Sequence, residues 1–234
     1  MRNGGYMRPL GNTLITGGAS GLGAATAEAV AAEGGHPIIL DKQHPGNDMP
    51  FEQVDLADRE AVERAVQQVV VQHGRIDALV NAAGTDACGT LTDVSADDWE
   101  KVIQVNLLGT AAVTRAALPH LRSSEGTVVN CASTLGLRAL SDATAYCASK
   151  FGVVGFTRAL AAELAGQVGV TLLVPGGMST AFFDDRPEQY KPGPDAKLNA
   201  PEDVARTVVF ALRQPPGCEV REMVVCSSQE TSWP

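Results

Sequence analysis

Tyr146 and Lys150 stand four residues apart in Tyr146-Cys147-Ala148-Ser149-Lys150, and Ser133 lies thirteen residues ahead of the tyrosine in a polar loop. On a helix, positions i and i+4 share a face, so a phenol and an ammonium at this spacing can meet at one site. A free phenol titrates at about pH 10, roughly three units too high to exchange protons readily at neutrality, and a fixed cation nearby favours the phenolate. The three residues are therefore a candidate proton-transfer site. Tyrosine and lysine at this spacing also decorate ordinary helix surfaces, so the rest of the chain has to decide.

The elements that must position them alternate. Short apolar strands are expected at Asn12 to Thr16, His36 to Asp41, Phe51 to Val54, Asp77 to Asn81, Thr127 to Asn130, Val170 to Val174 and Glu222 to Cys226. Between them lie helical patterns at Gly21 to Ala32, Asp58 to His73, Ala96 to Leu121 (one or two helices), Ala143 to Ala165 and Pro201 to Leu212. Ser95 is placed to cap the third of these, and Pro201 occupies the first turn of the last. Continuous apolar strands alternating with helices predict an α/β fold: a Rossmann-type doubly wound sheet of about seven parallel strands with helices on both faces. No repeat or low-complexity linker divides residues 1–234, so one dinucleotide-binding and catalytic domain is expected. The irregular stretch 179–199, rich in proline and glycine, reads as a lid over a site, and 227–234 as a short tail.

Bulk properties narrow the classes. With 44% hydrophobic and 19% charged residues the 234-residue chain suits a globular enzyme. A net charge of −9 argues against nucleic acid and against anionic membranes as partners. Five scattered cysteines without a Cys-x-x-Cys pair, and four histidines without ligand spacing, predict reduced thiols and no metal site. Cys131 and Cys147, which flank the candidate site, are expected to be buried structural thiols. Met1 to Gly11 carries no apolar signal core, and no run of about 18 apolar residues occurs, so a soluble cytoplasmic protein is expected.

The run Thr16-Gly17-Gly18-Ala19-Ser20-Gly21-Leu22-Gly23 joins the first strand to the first helix. Glycines there permit a tight turn and let backbone amides approach a pyrophosphate, while the helix N-terminus offers donors and positive dipole. Asp41 ends the second strand, eighteen residues after Gly23. A carboxylate at that point can accept from adenosine ribose hydroxyls and repels a 2′-phosphate. Ser20 offers no cation for such a phosphate, whereas the neighbouring Lys42 is able to reach one. NAD is favoured, with NADP possible.

Together these residues resemble the classical short-chain dehydrogenase/reductase family over residues 12–226. The resemblance is carried by Thr16-Gly17 to Gly23, Asn81-Ala82-Ala83-Gly84, Ser133, Tyr146-x-x-x-Lys150, and Pro175-Gly176 with Thr180, all in the family's order. It implies Tyr146 as general acid/base, Lys150 as the group that depresses the phenol and grips the nicotinamide ribose, and Ser133 as the hydrogen bond to the substrate oxygen. Asn106 resembles the helix asparagine whose backbone carbonyl holds a relay water beside the lysine. Asp55 and Leu56 match the adenine contacts, and Ala82 and Gly84 line the ribose; Asn81 ties the central strands. Pro175, Gly176, Met178 and Thr180 match the nicotinamide segment, although Met178 stands where Val or Ile is usual.

The resemblance further implies a homodimer or homotetramer acting on a small carbonyl or alcohol. For the pocket, Leu135 to Leu140, Phe182, Phe183 and Tyr190 supply apolar surface, favouring a substrate that is not strongly anionic. Arg138 and Arg186 are expected to be solvated. Trp233 is assigned equally to packing on the substrate loop or a neighbouring subunit, or to a loose tail. Two other functions on the same fold compete: a noncatalytic dinucleotide sensor, which would lack the tyrosine, lysine or serine, and a cofactor-independent lyase, which would lack the glycine turn and the lysine. A sugar epimerase would be longer at its C-terminal end.

Overall fold

The computed structural model describes residues 7–232. Seven parallel strands form one sheet in the order β3-β2-β1-β4-β5-β6-β7, with β1 Asn12–Thr16, β2 His36–Asp41, β3 Phe51–Gln53, β4 Ala78–Asn81, β5 Thr127–Cys131, β6 Gly169–Pro175 and β7 Glu222–Val225. Strand order reverses between β1 and β4, and parallel doubly wound sheets open a crevice at such a point, beyond the carboxyl ends of the strands.

Successive strand residues feed opposite cores, as a period of two requires. Leu14, Ile38, Leu40, Leu79 and Val128 pack with Val62, Val66, Val69, Val113 and Leu121 of the helices α2 Arg59–His73 and α4 Thr110–Ser124. Ile15, Ile39, Val80 and Val129 pack the other way, against Ala25, Val30, Val204 and Val208 of α1 Gly21–Ala32 and α6 Pro201–Leu212. Asp58 caps α2 by accepting from the Ala61 amide, and Ser95 caps α3 Ala96–Ile103 by accepting from Asp98. Both caps satisfy amides that the first helical turn leaves without a partner.

The stretch expected as one or two helices at 96–121 is broken into α3 and α4 by a π-helical turn, Gln104–Gly109. The wide turn is where the backbone passes closest to Leu56: a Cβ on Gly109 would lie 2.9 Å from the Leu56 Cβ. It also turns Asn106 inward, and π turns of this kind recur at functional sites.

In the middle of the sheet, Asn81 Nδ2 donates to Thr114 Oγ1 at 3.0 Å and to Asn130 Oδ1 at 2.8 Å, and Asn130 Nδ2 donates to Thr157 Oγ1 at 3.1 Å. These fully buried amides bind β4 to β5 and to the helices covering them, which agrees with the strand-tying role expected for Asn81. Asn81→Ala is expected to lower the unfolding free energy by about 1–3 kcal/mol, read as a lower urea midpoint at unchanged slope.

Candidate active site

A cleft of about 750 Å³ runs across the carboxyl ends of the central strands. At one end is the glycine turn. Gly17 has φ +70°, and a Cβ on it would lie 2.7 Å from Ala83 Cα; a Cβ on Gly23 would lie 2.1 Å from the Gly17 carbonyl oxygen. No side chain fits at either position. Thr16 Oγ1 accepts from the amides of Ala82 and Ala83, both at 3.2 Å, fastening the turn to the end of β4. Ser20 precedes α1 without a side-chain capping bond, so the helix N-terminus is open to an anion in the cleft.

Asp41 ends β2, where its carboxylate accepts from the amides of Ala19 at 3.0 Å and Gln43 at 2.9 Å. Lys42, Asp55 and Leu56 follow along the same wall. A bare backbone cradle, an open helix N-terminus and a carboxylate at strand end together fit the pyrophosphate and adenosine ribose of a dinucleotide.

At the other end lies α5, Thr144–Glu163, which carries Tyr146 and Lys150 on one face as their spacing predicts. Lys150 is 4% exposed, and its Nζ donates to the Cys131 carbonyl at 2.9 Å. Ser133, directly after β5, opens a short 3₁₀ turn, where its Oγ accepts from the Leu135 amide at 3.1 Å. That turn is pressed onto α5: a Cβ on Gly136 would lie 2.7 Å from the Lys150 carbonyl oxygen. Phenol, ammonium and hydroxyl thus share one wall of the cleft.

Burial pushes the Tyr146 phenol well above its ordinary value, the adjacent Cys131 adds to this, and a hydrogen bond with Ser133 pulls the other way. Burial also draws the Lys150 ammonium below its usual range, with Cys131 and Asp86 opposing. In the protein on its own, burial therefore opposes the depression of Tyr146 that the resemblance implies for Lys150. Nζ lies 5.6 Å from the ring centroid and gives one of its N–H groups to the Cys131 carbonyl. Cys131 and Cys147 are buried, as expected of structural thiols.

Asn106 and Asn81 are the two site residues that do not line the cleft. Asn106 sits behind its wall, fully buried, where Nδ2 donates to the Thr85 carbonyl at 2.9 Å and to Ser149 Oγ at 3.0 Å, while Oδ1 accepts from the Thr85 amide at 2.8 Å. Ser149 in turn donates to the Tyr146 carbonyl at 2.8 Å. The side chain of Asn106 thereby couples the loop after β4 to the first turn of α5. Its backbone carbonyl, the part implied to hold a water, accepts from Thr110 Oγ1 at 2.8 Å.

Ala82, Gly84, Pro175, Gly176, Met178 and Thr180 all line the cleft, and so do Gly21 and Leu22. The lid begins over the glycine turn, with Thr180 Cγ2 3.4 Å from where a Gly21 Cβ would be. Its two ends are pinned by the pairs Ser179 N to Asn199 O and Asn199 N to Gly177 O, each at 2.9 Å.

Arg186 is not solvated as expected. Its Nη2 meets Asp86 Oδ2 at 2.5 Å, and its guanidinium lies 5.1 Å from the Phe182 ring centroid and 4.6 Å from that of Phe183. Phe182 stands 5.7 Å from the Tyr146 ring. Of the apolar groups expected in the pocket, Phe182 lines it, whereas Phe183, Tyr190 and Leu135 to Leu140 do not; Leu137 packs instead on Val153, Val154 and Leu172. Arg138 is exposed, as expected, and reaches the Thr231 carbonyl at 3.2 Å.

Two features escaped sequence reasoning. Asp86 is one acid in a loop of small residues, and its only signal was a position two residues past Gly84. Glu230 accepts from the Gly177 amide at 2.9 Å and from Ser232 N and Oγ, and Ser232 Oγ contacts Thr134 Oγ1 at 2.7 Å. Burial raises the Glu230 carboxyl, but the hydrogen bonds from Ser232, Gly177 and Thr231 win and hold it below its ordinary value. The tail thus clips together the segments after β5 and β6. Trp233 lies outside the described residues.

A family model described as short chain dehydrogenase matches residues 12–191. The chain belongs to the short-chain dehydrogenase family. A 3-oxoacyl-[acyl-carrier-protein] reductase of Thermotoga maritima is 35% identical over 217 residues, covering 84% of this chain and 88% of the relative. A (2S)-[(R)-hydroxy(phenyl)methyl]succinyl-CoA dehydrogenase subunit of Thauera aromatica is 37% identical over 224 residues, covering 84% and 87%. Among solved structures, an alcohol dehydrogenase of the archaeon Thermococcus sibiricus, complexed with 5-hydroxy-NADP, superposes with a TM-score of 0.80 at 25% identity, covering 92% of this chain and 95% of that one.

Short-chain dehydrogenases share this doubly wound sheet, and among the described residues no helix is long and apolar enough to cross a membrane. Because a Cβ on Gly23 would collide with backbone rather than with a yielding side chain, Gly23→Ala is expected to weaken NAD(P)H binding by about tenfold or more, measured by nicotinamide fluorescence titration.

Proposed function

We propose that this short-chain dehydrogenase is an NAD(P)-dependent oxidoreductase that interconverts a carbonyl compound and a secondary alcohol, with Tyr146 as the general acid/base. One observation carries the reading: the Tyr146, Lys150 and Ser133 side chains share a cleft with the glycine cradle and Asp41. The bound nicotinamide would supply or take up the hydride. Ser133 and Tyr146 hold the substrate oxygen by hydrogen bonds and so fix the carbon it is bonded to. Tyr146 gives that oxygen a proton in reduction and removes it in oxidation.

Lys150 is positioned to grip the nicotinamide ribose and to exchange a proton with the phenol. Its depressed ammonium and the raised phenol both reflect an enclosed site. A cationic oxidised cofactor in that enclosure favours the phenolate, which the protein alone does not. Asn106 acts one layer back, holding Thr85 and Ser149 so that Tyr146 keeps its place.

Asp41 supports NAD over NADP, since a 2′-phosphate would face its carboxylate, although Lys42 stands beside it and the solved alcohol dehydrogenase carries an NADP derivative. We further infer that the chain works as one domain in the cytoplasm and as a homodimer or homotetramer. Exposed Leu108 and Phe151, near the π turn and on α5, and Phe210 on α6 offer apolar surface for pairing.

Screening ketones and secondary alcohols for nicotinamide absorbance change with both cofactors tests the activity. Tyr146→Phe is expected to lower kcat by about 10²–10⁴-fold while NADH still binds; near-normal turnover would sink the assignment. Wild-type kcat/KM should be higher with NADH than with NADPH, and Asp41→Ala should move that ratio toward NADPH by about tenfold, by relieving like-charge repulsion. A wild-type preference for NADPH would overturn the reading of Asp41.

A further inference from the structure

Asp86 and Arg186 come from loops 100 residues apart and meet inside the cleft, with side chains 6% and 18% exposed. Asp86 Oδ2 takes Arg186 Nη2 and the Cys88 thiol, the latter at 3.2 Å, and Oδ1 takes the Ala87 amide at 2.7 Å. Arg186 Nη1 reaches the Tyr190 carbonyl at 3.4 Å, and its Nε is buried without a hydrogen-bond partner among the described residues. The guanidinium also lies beside Phe182 and Phe183. Burial and the Asp86 charge push the Cys88 thiol up to about 11, so it stays an uncharged donor at neutral pH.

The other charges in the cleft do not favour an anion at this end. Lys150 gives one N–H to the Cys131 carbonyl and in the proposed reaction faces the nicotinamide ribose, and Lys42 lies beside Asp41 at the far end. Lys101 lines the cleft on the same helix as Asp98, with Asp93 and Asp185 also on the lining. A carboxylate entering beside Tyr146 faces Asp93, Asp98 and Asp185, and to pair with the guanidinium it must displace Asp86. A buried carboxylate stripped of its guanidinium is a costly thing to leave behind.

Building on the dehydrogenase reading, we propose that the Asp86–Arg186 pair is a specificity filter: with the guanidinium spent on Asp86, the cleft takes neutral ketones and secondary alcohols and turns carboxylates away. The guanidinium is also the latent anion site that Asp86 masks. Removing the acid should convert rejection into recognition, since guanidinium binds carboxylate well once freed.

The test uses one matched pair, ethyl acetoacetate and acetoacetate, with NADH as reductant. Wild type should favour the ester in kcat/KM. In Asp86→Asn, which keeps the shape of the side chain, the ester-to-acid ratio should fall by about tenfold or more, through KM for the acid. In Arg186→Met the acid should be rejected at least as strongly as in wild type. Asp86→Ser provides a second uncharged version should the asparagine variant not fold.

A merely structural latch would depress both substrates alike, and an unchanged ratio in Asp86→Asn overturns the proposal. So does acid accepted as well as ester by wild type, or acid improved in Arg186→Met. Should wild type reduce neither compound, the filter is still read by calorimetry: acetoacetate is expected to bind Asp86→Asn and not wild type, and equal binding overturns it. The dehydrogenase reading itself stands or falls on the wider screen of ketones and alcohols.

Discussion

The site is organised by the burial of one ammonium. Lys150 is enclosed at the end of β5, and an enclosed ammonium needs acceptors or it loses its charge. The Cys131 carbonyl supplies one because β5 ends there. That bond, with the packing of the Gly136 turn on α5, sets both the height and the rotation of the helix. Tyr146, one helical turn before the lysine, is then carried to the cleft edge, and Ser133 faces it from the loop that Cys131 begins. A single donor–acceptor pair thereby sets three side chains in register.

Around that pair, polar groups that would be liabilities in an apolar core act as ties. Asn106 grips Thr85 by both ends of its amide and touches Ser149, so the loop after β4 and the first turn of α5 move together. Asn81, Asn130 and Thr157 do the same between strands and helix one layer below. Each buried amide is costly if left without a partner, which makes such networks specific as well as stabilising. At the opposite end of the cleft the demand is reversed: Gly17 and Gly23 leave out side chains so that backbone can approach backbone.

Beyond the backbone bridge that pins the lid's two ends, the segments that close over this frame are held by side chains. Arg186 fastens the lid to Asp86, and Glu230 fastens the tail to Gly177 while Ser232 reaches Thr134. Both fasteners cross large sequence separations and both end beside the chemistry, where the pocket is shaped.

The α/β alternation, the seven strands, the glycine turn and the Tyr146–Lys150 face were legible in the sequence because each is local. Strand and helix periods, a turn that only glycine allows, and i, i+4 spacing are properties of neighbouring residues. The π turn was hidden inside one continuous helical pattern, and the close passage of Gly109 by Leu56 is a long-range contact that the pattern does not show. The partnership of Asp86 with Arg186 was hidden too: the sequence alone makes Arg186 a solvated surface charge and says nothing of Asp86. The state of the phenol depends on enclosure: sequence puts a cation near Tyr146, but only the fold decides how far the phenol is desolvated. Local covalent geometry fixed which elements form, while long-range packing decided which charges are buried, with whom, and therefore what the cleft can recognise.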